Sequence, residues 1–135
     1  MKDIRKALRS FLLADAAIVA VVVDRVYALR IPQGVKASSI VVTRVSGPGD
    51  YHLSGPSGLI NARIQIDAWA ITADAAATLA NLVKDRIDGY RGTMGTGGNI
   101  ITVHGVFVAD LREDYDDEAE LYRSGRDFFV HHLEL

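Results

Sequence analysis

The sequence predicts an α+β domain: a two-layer, mostly antiparallel β-sheet of about four to five strands packed against two main helices, in the order α-α-β-β-β-α-β-β. Three observations carry this expectation. Residues 60 to 70 place an apolar side chain at every even position and Asn61, Arg63, Gln65, Asp67 and Trp69 at the odd ones. Residues 72 to 89 then change to helical spacing and stop at a glycine. Finally, 135 residues with 49% apolar side chains suit one compact domain spanning 1–135.

The elements follow in order along the chain. Ile4, Leu8, Phe11 and Leu12 form the apolar stripe of a first helix, with Arg5 and Arg9 together on its wet side. Asp15 starts a second, shorter helix. Val26-Tyr27-Ala28-Leu29 is a short extended piece, and Ile31-Pro32-Gln33-Gly34 turns the chain, because the residue before proline is pushed away from helical angles. Ser39 to Val45 is β-branched almost throughout and reads as a strand.

Between this strand and the next lies Ser46 to Gly58, the longest turn-rich stretch, which reads as a functional or mobile loop. The alternation of residues 60 to 70 then defines a long strand with one buried and one polar face. Thr72 caps the following helix with its hydroxyl, and Asp74 sits in the first turn, where the positive helix end favours a carboxylate. Ala76, Leu79, Ala80, Val83 and Ile87 share one stripe, and Gly89 ends the helix by accepting positive φ. Gly92 to Gly98 is a flexible link, Ile100 to Leu111 a strand, and Leu121 to Leu133 the closing strand. No internal repeat is visible.

Composition narrows the function classes. With no cysteine there is neither a disulfide framework nor a zinc-thiolate site, which suits a reducing compartment. The longest apolar run, Ala16 to Val23, is far shorter than the roughly 20 residues a membrane helix needs. Near the start, Lys2, Arg5, Lys6 and Arg9 interleave with apolar residues, which is not the pattern of a secretory signal.

The net charge of −2 conceals an asymmetry: residues 1–50 hold eight basic and four acidic residues, whereas residues 51–135 hold seven basic and thirteen acidic ones. A positive end and a negative end favour head-to-tail pairing of identical copies, although two ordinary solvated faces give the same tally.

Candidate chemistry concentrates in Asp110, Glu113, Asp114, Asp116, Asp117, Glu118 and Glu120, seven carboxylates facing the single Arg112. Such a cluster is a hard-cation site, a contact surface for a basic partner, or a solvated hairpin connection. It is not a calcium-binding EF-hand loop, because the required glycine and glutamate positions hold Tyr115 and Leu121. The Gly92–Gly98 segment lacks the Lys-Ser/Thr pair of a phosphate-binding loop and leads into a strand rather than a helix.

His52 and His104 stand apart, and the adjacent His131 and His132 point to opposite faces of one strand, so no shared metal is expected. There is no Gly-x-Ser-x-Gly elbow and no thiol nucleophile. These residues predict a non-enzymatic protein with no catalytic, cofactor-binding or metal-ligating set and no sequence-specific nucleic-acid contact. Two other readings stay open: a small adaptor or ligand-binding domain, and a metal-dependent enzyme built on the acidic cluster.

A collinear series spans nearly the whole chain: Leu12-Leu13-Ala14-Asp15-Ala16, Asp24-Arg25-Val26-Tyr27, Gly58-Leu59 with Ala62 through Ala70, and Asp88-Gly89-Tyr90-Arg91-Gly92-Thr93. It continues through Gly105-Val106-Phe107, Asp110, Arg112, Asp114, Tyr115, Leu121-Tyr122-Arg123-Ser124 and Asp127-Phe128. The series resembles the tail terminator, or tail-completion, proteins among the head-to-tail joining genes of long-tailed phages, prophages and gene transfer agents. The resemblance implies a structural subunit that forms a ring, usually of six, which caps the tail tube and joins it to the head connector. Its implied partners are further copies of itself, the tail tube protein and the connector or stopper protein, with DNA passing through the ring. Its implied location is the head-proximal end of the virion tail, after assembly in the bacterial host cytoplasm. The family brings no catalytic residues. The expected partner interface is Pro48, Asp50, Tyr51, His52, Arg63, Asp67, Trp69, Asp114, Tyr115 and Asp116, with Pro48 to Leu53 projecting from the ring.

Overall fold

The computed structural model describes residues 3–46, 49–52 and 55–133, with the backbone alone for 49–52 and 55–58. Two helices open the chain, α1 (Ile4–Leu13) and α2 (Ala16–Val22). Asp3 and Asp15 cap them, each accepting a hydrogen bond from the backbone N–H two residues on, which satisfies a donor that has no partner within the helix. Four strands follow, β1 (Val26–Ala28), β2 (Ser39–Ser46), β3 (Gly49–His52) and β4 (Gly55–Ala70), then α3 (Ala73–Ile87). The chain ends with β5 (Gly92–Met94), β6 (Ile101–Asp116) and β7 (Leu121–Leu133).

This architecture corrects the expected one. A single seven-stranded mixed sheet in the order β1-β2-β4-β7-β6-β5, with β3 paired to β4, replaces the two-layer arrangement of four to five mostly antiparallel strands on two main helices. β1 and β2 run parallel, the remaining pairs antiparallel, and three helices cover only part of one face. The reason for the difference is local. Glycine and proline between residues 46 and 58 report turn propensity, yet Gly49–His52 pairs back onto β4 as a hairpin, a partnership that composition does not reveal. Likewise Gly92–Met94 leaves the expected flexible link to pair with Ile101–Val103. The acidic run through Asp116 continues β6 as strand, so only residues 117–120 form the turn into β7.

The alternation in β4 decides which face of the sheet is covered. Ile60, Ala62, Ile64, Ile66, Ala68 and Ala70 are all buried, and all but Ala70 belong to the main core cluster. That cluster includes Ile4, Leu8 and Leu12 of α1, Ile18 of α2, and Leu79, Val83 and Ile87 of α3. Phe128, paired with Ile64, is the largest wholly buried side chain. Burying side chains of this size contributes about 1.5–3 kcal/mol each.

α3 is tied to α1 by Arg86, whose guanidinium lies 3.8 Å from the Phe11 ring centre and whose Nε donates to the Phe11 carbonyl at 3.1 Å. Tyr90 packs on the same ring at 4.4 Å. Towards the far end of the β6–β7 hairpin the helices no longer reach. Leu111, Tyr115 and Tyr122 lie exposed on the face that is buried elsewhere.

Gly89 ends α3 at φ +75°, as its position after the apolar stripe predicts. Gly95 is more demanding. It sits at φ +99°, and a Cβ there would lie 2.0 Å from the Asn99 carbonyl oxygen. Asn99 in turn accepts from the Asp3 N–H at 2.7 Å and donates to the Asp3 carbonyl at 2.9 Å, so this turn anchors the start of α1. Gly97, at φ +58°, faces open space. Gly95→Ala is therefore expected to destabilise the protein by about 2 kcal/mol more than Gly97→Ala. Urea denaturation of the two variants measures the difference, and equal midpoints would contradict it.

Candidate functional site

The sheet face opposite the helices is built from the odd residues of β4 and β7 and from the register partners on β6. Because side chains alternate along each strand, Arg63, Gln65, Asp67 and Trp69 stand beside Arg123, Gly125, Asp127 and Phe129. Arg112 and Asp114 of β6 complete the row, opposite Gly125 and Arg123.

Asp127 is the centre of this face. It is 2% exposed; Arg63 donates to its Oδ2 through Nε at 3.1 Å and Nη2 at 2.9 Å, while Arg112 Nη2 donates to Oδ1 at 2.7 Å. One buried carboxylate thus clamps side chains from β4 and β6 across β7. Arg123 makes the second clamp, donating to Asp114 through both Nε and Nη2 and lying 5.6 Å from the Trp69 ring centre. The hydrogen bond to Asp114 raises the Arg123 pKa further, so this cation stays charged.

Asp67 is also buried. Its Oδ2 accepts from Gln65 Nε2 at 2.7 Å and lies 4.0 Å from Arg123 Nη1. Its Oδ1 has no hydrogen-bond partner and rests over Gly125, where an added Cβ would come within 2.4 Å. Burial raises the Asp67 pKa, and the Gln65 hydrogen bond with the charges of Arg123 and Arg112 offsets only part of that rise.

A strap, residues 29–36, crosses one end of this face, leaving β1 through Leu29 at φ +71°. Lys36 Nζ donates to the Ala119 carbonyl and pins the strap to the β6–β7 turn. Between strap, turn and sheet lies an open cleft of 970 Å³, with Gln65, Asp67, Trp69, Asp116 and Arg123 in its lining. Cations and carboxylates alternate here in neutralising pairs, and the Trp69 indole N–H has no acceptor. The arrangement locks three strands in one register and presents a polar cleft. Among the described residues no three His, Asp or Glu side chains converge as a metal site, and no helix is long and apolar enough to cross a membrane.

The structure thus gathers five of the expected interface residues, Arg63, Asp67, Trp69, Asp114 and Asp116, onto one face. Tyr115 lies on the opposite face, 4.7 Å from Tyr122 ring to ring. Asp50, Tyr51 and His52 lie in β3, with only their backbone described, and Pro48 lies outside the described residues. The sequence reading missed Asp127, Arg112 and Arg123 as members of this face. The signal was the period-two series Arg123, Gly125, Asp127 on β7, which becomes informative once its register against β4 is known. Arg126, on the helix side, was missed too: it is buried and donates to Ser124 Oγ at 2.9 Å and Asn81 Oδ1 at 3.3 Å, joining β7 to α3.

Comparison with known proteins settles the family. The family described as tail completion protein gp17 matches residues 6–129. The chain belongs to that family. The chain is also similar in fold to a protein of the virion of a native gene transfer agent particle, with a TM-score of 0.72 at 19% identity, covering 96% of this chain and 93% of that one. Among curated proteins there is no match. The tail completion assignment agrees with the resemblance carried by the collinear sequence series, and it makes the ionic face part of a structural protein of phage-type tails.

Two outcomes follow from this face. Because folded Asp67 keeps its proton to higher pH than the unfolded chain does, the native state binds more protons above the ordinary value of 3.8, and stability falls as pH rises through that window. Asp67→Asn is expected to raise Tm at pH 7 and to lose that advantage below pH 3.8, as read by thermal melts across pH. A variant melting below the parent at pH 7 contradicts this. Separately, Gly125→Ala is expected to cost about 1–3 kcal/mol in the parent and measurably less in an Asp67→Ala background. Additive costs in the double-mutant cycle would show that the Asp67 carboxylate is not what excludes a side chain at position 125.

Proposed function

We propose that this tail completion protein is a tail terminator: copies close into a ring, six in number, that caps the finished tail tube and offers its other face to the head connector. Family membership over residues 6–129 is the observation that carries this reading. The ring would sit at the head-proximal end of the tail, with DNA passing through it, and its work would be docking rather than chemistry.

The fold is suited to such a part. A closed ring needs a heterologous interface, in which one patch of each copy meets a different patch of its neighbour. A sheet with two unlike edges supplies two such patches, and the three-strand ionic clamp at Asp127 keeps the sheet rigid enough to repeat one geometry around a circle. The β3–β4 hairpin extends beyond Leu59, the last β4 residue paired with β7, which supports the expectation that this region projects from the ring. Arg63, Trp69, Asp114 and Asp116 surround the opening of the ionic face, and Tyr115 lies at the exposed end of the hairpin. Asp67 is buried and enters this interface through Arg123.

Tail tubes made without this protein provide the test. Adding the purified chain is expected to give tubes of fixed length with a ring at one end, scored by electron microscopy. Tubes that continue to lengthen, with no ring at either end, would refute the terminator reading.

A further inference from the structure

The two lateral regions of the sheet differ in chemistry in a complementary way. On one side, β5 covers β6 only as far as Val103, so the outer edge of β6 beyond it has no strand beside it among the described residues. That edge carries Asp110, Glu113 and Asp116, and Phe107, Val108 and Leu111 are 56%, 40% and 52% exposed along it. Its nearby cation is engaged inward, since Arg112 holds Asp127. The edge is guarded against indiscriminate pairing: the register shifts between Val108 and Asp110, and Asp110 Oδ1 accepts the Leu111 N–H at 2.8 Å.

On the other side, α1 runs along β1 and leaves a small apolar groove of 140 Å³, with Ala28 and Val42, which share the helix-side face, in its floor. Arg5, Lys6 and Arg9 rim it, against the single carboxylate Asp3. Arg9 donates to two neutral carbonyls, Val26 O at 3.1 Å and Asp24 O at 3.2 Å, so its charge is not cancelled there. Lys6 is exposed on the same rim.

We propose that the β6 edge of one copy docks into the α1–β1 groove of a second copy, with an apolar side chain of the edge, Leu111, seated on Ala28 and Val42, and Glu113, two residues on and on the same face of β6, facing Lys6. The inference rests on the ring reading and names the surfaces that close the ring. Both halves of the contact lie on one chain, far apart in the strand order, and they match in two independent respects, apolar against apolar and acidic against basic. An interface between unlike patches repeats head to tail, which is the geometry a cyclic assembly requires. Opposite charge also disfavours edge-to-edge or groove-to-groove pairing, because each of those brings like charges together.

The chain has no cysteine, which makes the test clean. Ala28→Cys and Leu111→Cys are introduced singly and together, and the full chain is oxidised both in solution and on tail tubes. The doubly substituted chain is expected to give a covalent ladder ending in a closed ring, and each single variant none. In parallel, Lys6→Glu is expected to raise the concentration of half-assembly about tenfold, and adding Glu113→Lys to restore it. Circular dichroism checks that each variant is folded. Assemblies that form without the ladder and ignore both charge reversals would overturn the edge assignment and leave the ring reading standing. Absence of self-association in solution and on tubes alike would overturn both. Cross-links to the tube protein instead of a second copy would also overturn the proposal.

Discussion

Strand β4 is the constraint on which the rest of the molecule depends. It pairs with β2 on one side and β7 on the other, so its strict alternation is imposed on both neighbours through the register. A shift of one residue would turn Ile64 and Ile66 to the polar face and bring Arg63 and Asp67 against the helices. The resulting loss of apolar burial and stranding of charge both oppose such a slip, which is why a single register is specified.

The opposite face uses electrostatics to reinforce what hydrophobic burial begins. Asp127 is almost inaccessible, yet it is matched by guanidinium groups from both flanking strands, and those groups remain about one-third exposed. A buried carboxylate held by directional donors adds little net stability compared with an apolar pair, but removing its partners would leave an uncompensated charge. The clamp therefore specifies how β4, β7 and β6 align more than it adds to the total. Asp67 is the strained member of the set, with one oxygen unpartnered over a glycine that has no alternative. The protein retains a costly carboxylate where a neutral group would be easier to bury, beside a cleft that opens to the strap and the hairpin turn.

A tail terminator that closes a ring, as proposed, would have to repeat one contact accurately around an axis. Rigidity of the sheet, unlike edges and a protected outer strand are the physical properties that such repetition requires, and this chain has them. The bulge near Asp110 and its bond to the neighbouring N–H matter here, because a bare edge carrying Leu111 and Phe107 would invite unregulated pairing.

The sequence by itself determined the local elements: the three helices with their starts at Asp15 and Thr72 and the stop at Gly89, the long alternating strand, and the closing strand from Leu121. These depend on interactions within a few residues, where periodicity and capping chemistry act. Tertiary structure alone decided that Gly49–His52 and Gly92–Met94 become strands, that β1 and β2 run parallel, and that the acidic segment continues β6. Those outcomes depend on partners far away in the chain, which composition cannot specify. The ionic face divides along the same line. Arg63, Asp67 and Trp69 were legible from alternation in one strand, whereas Asp127, Arg112 and Arg123 join them only through the β4–β7–β6 register, because a salt bridge across strands is a property of the pairing.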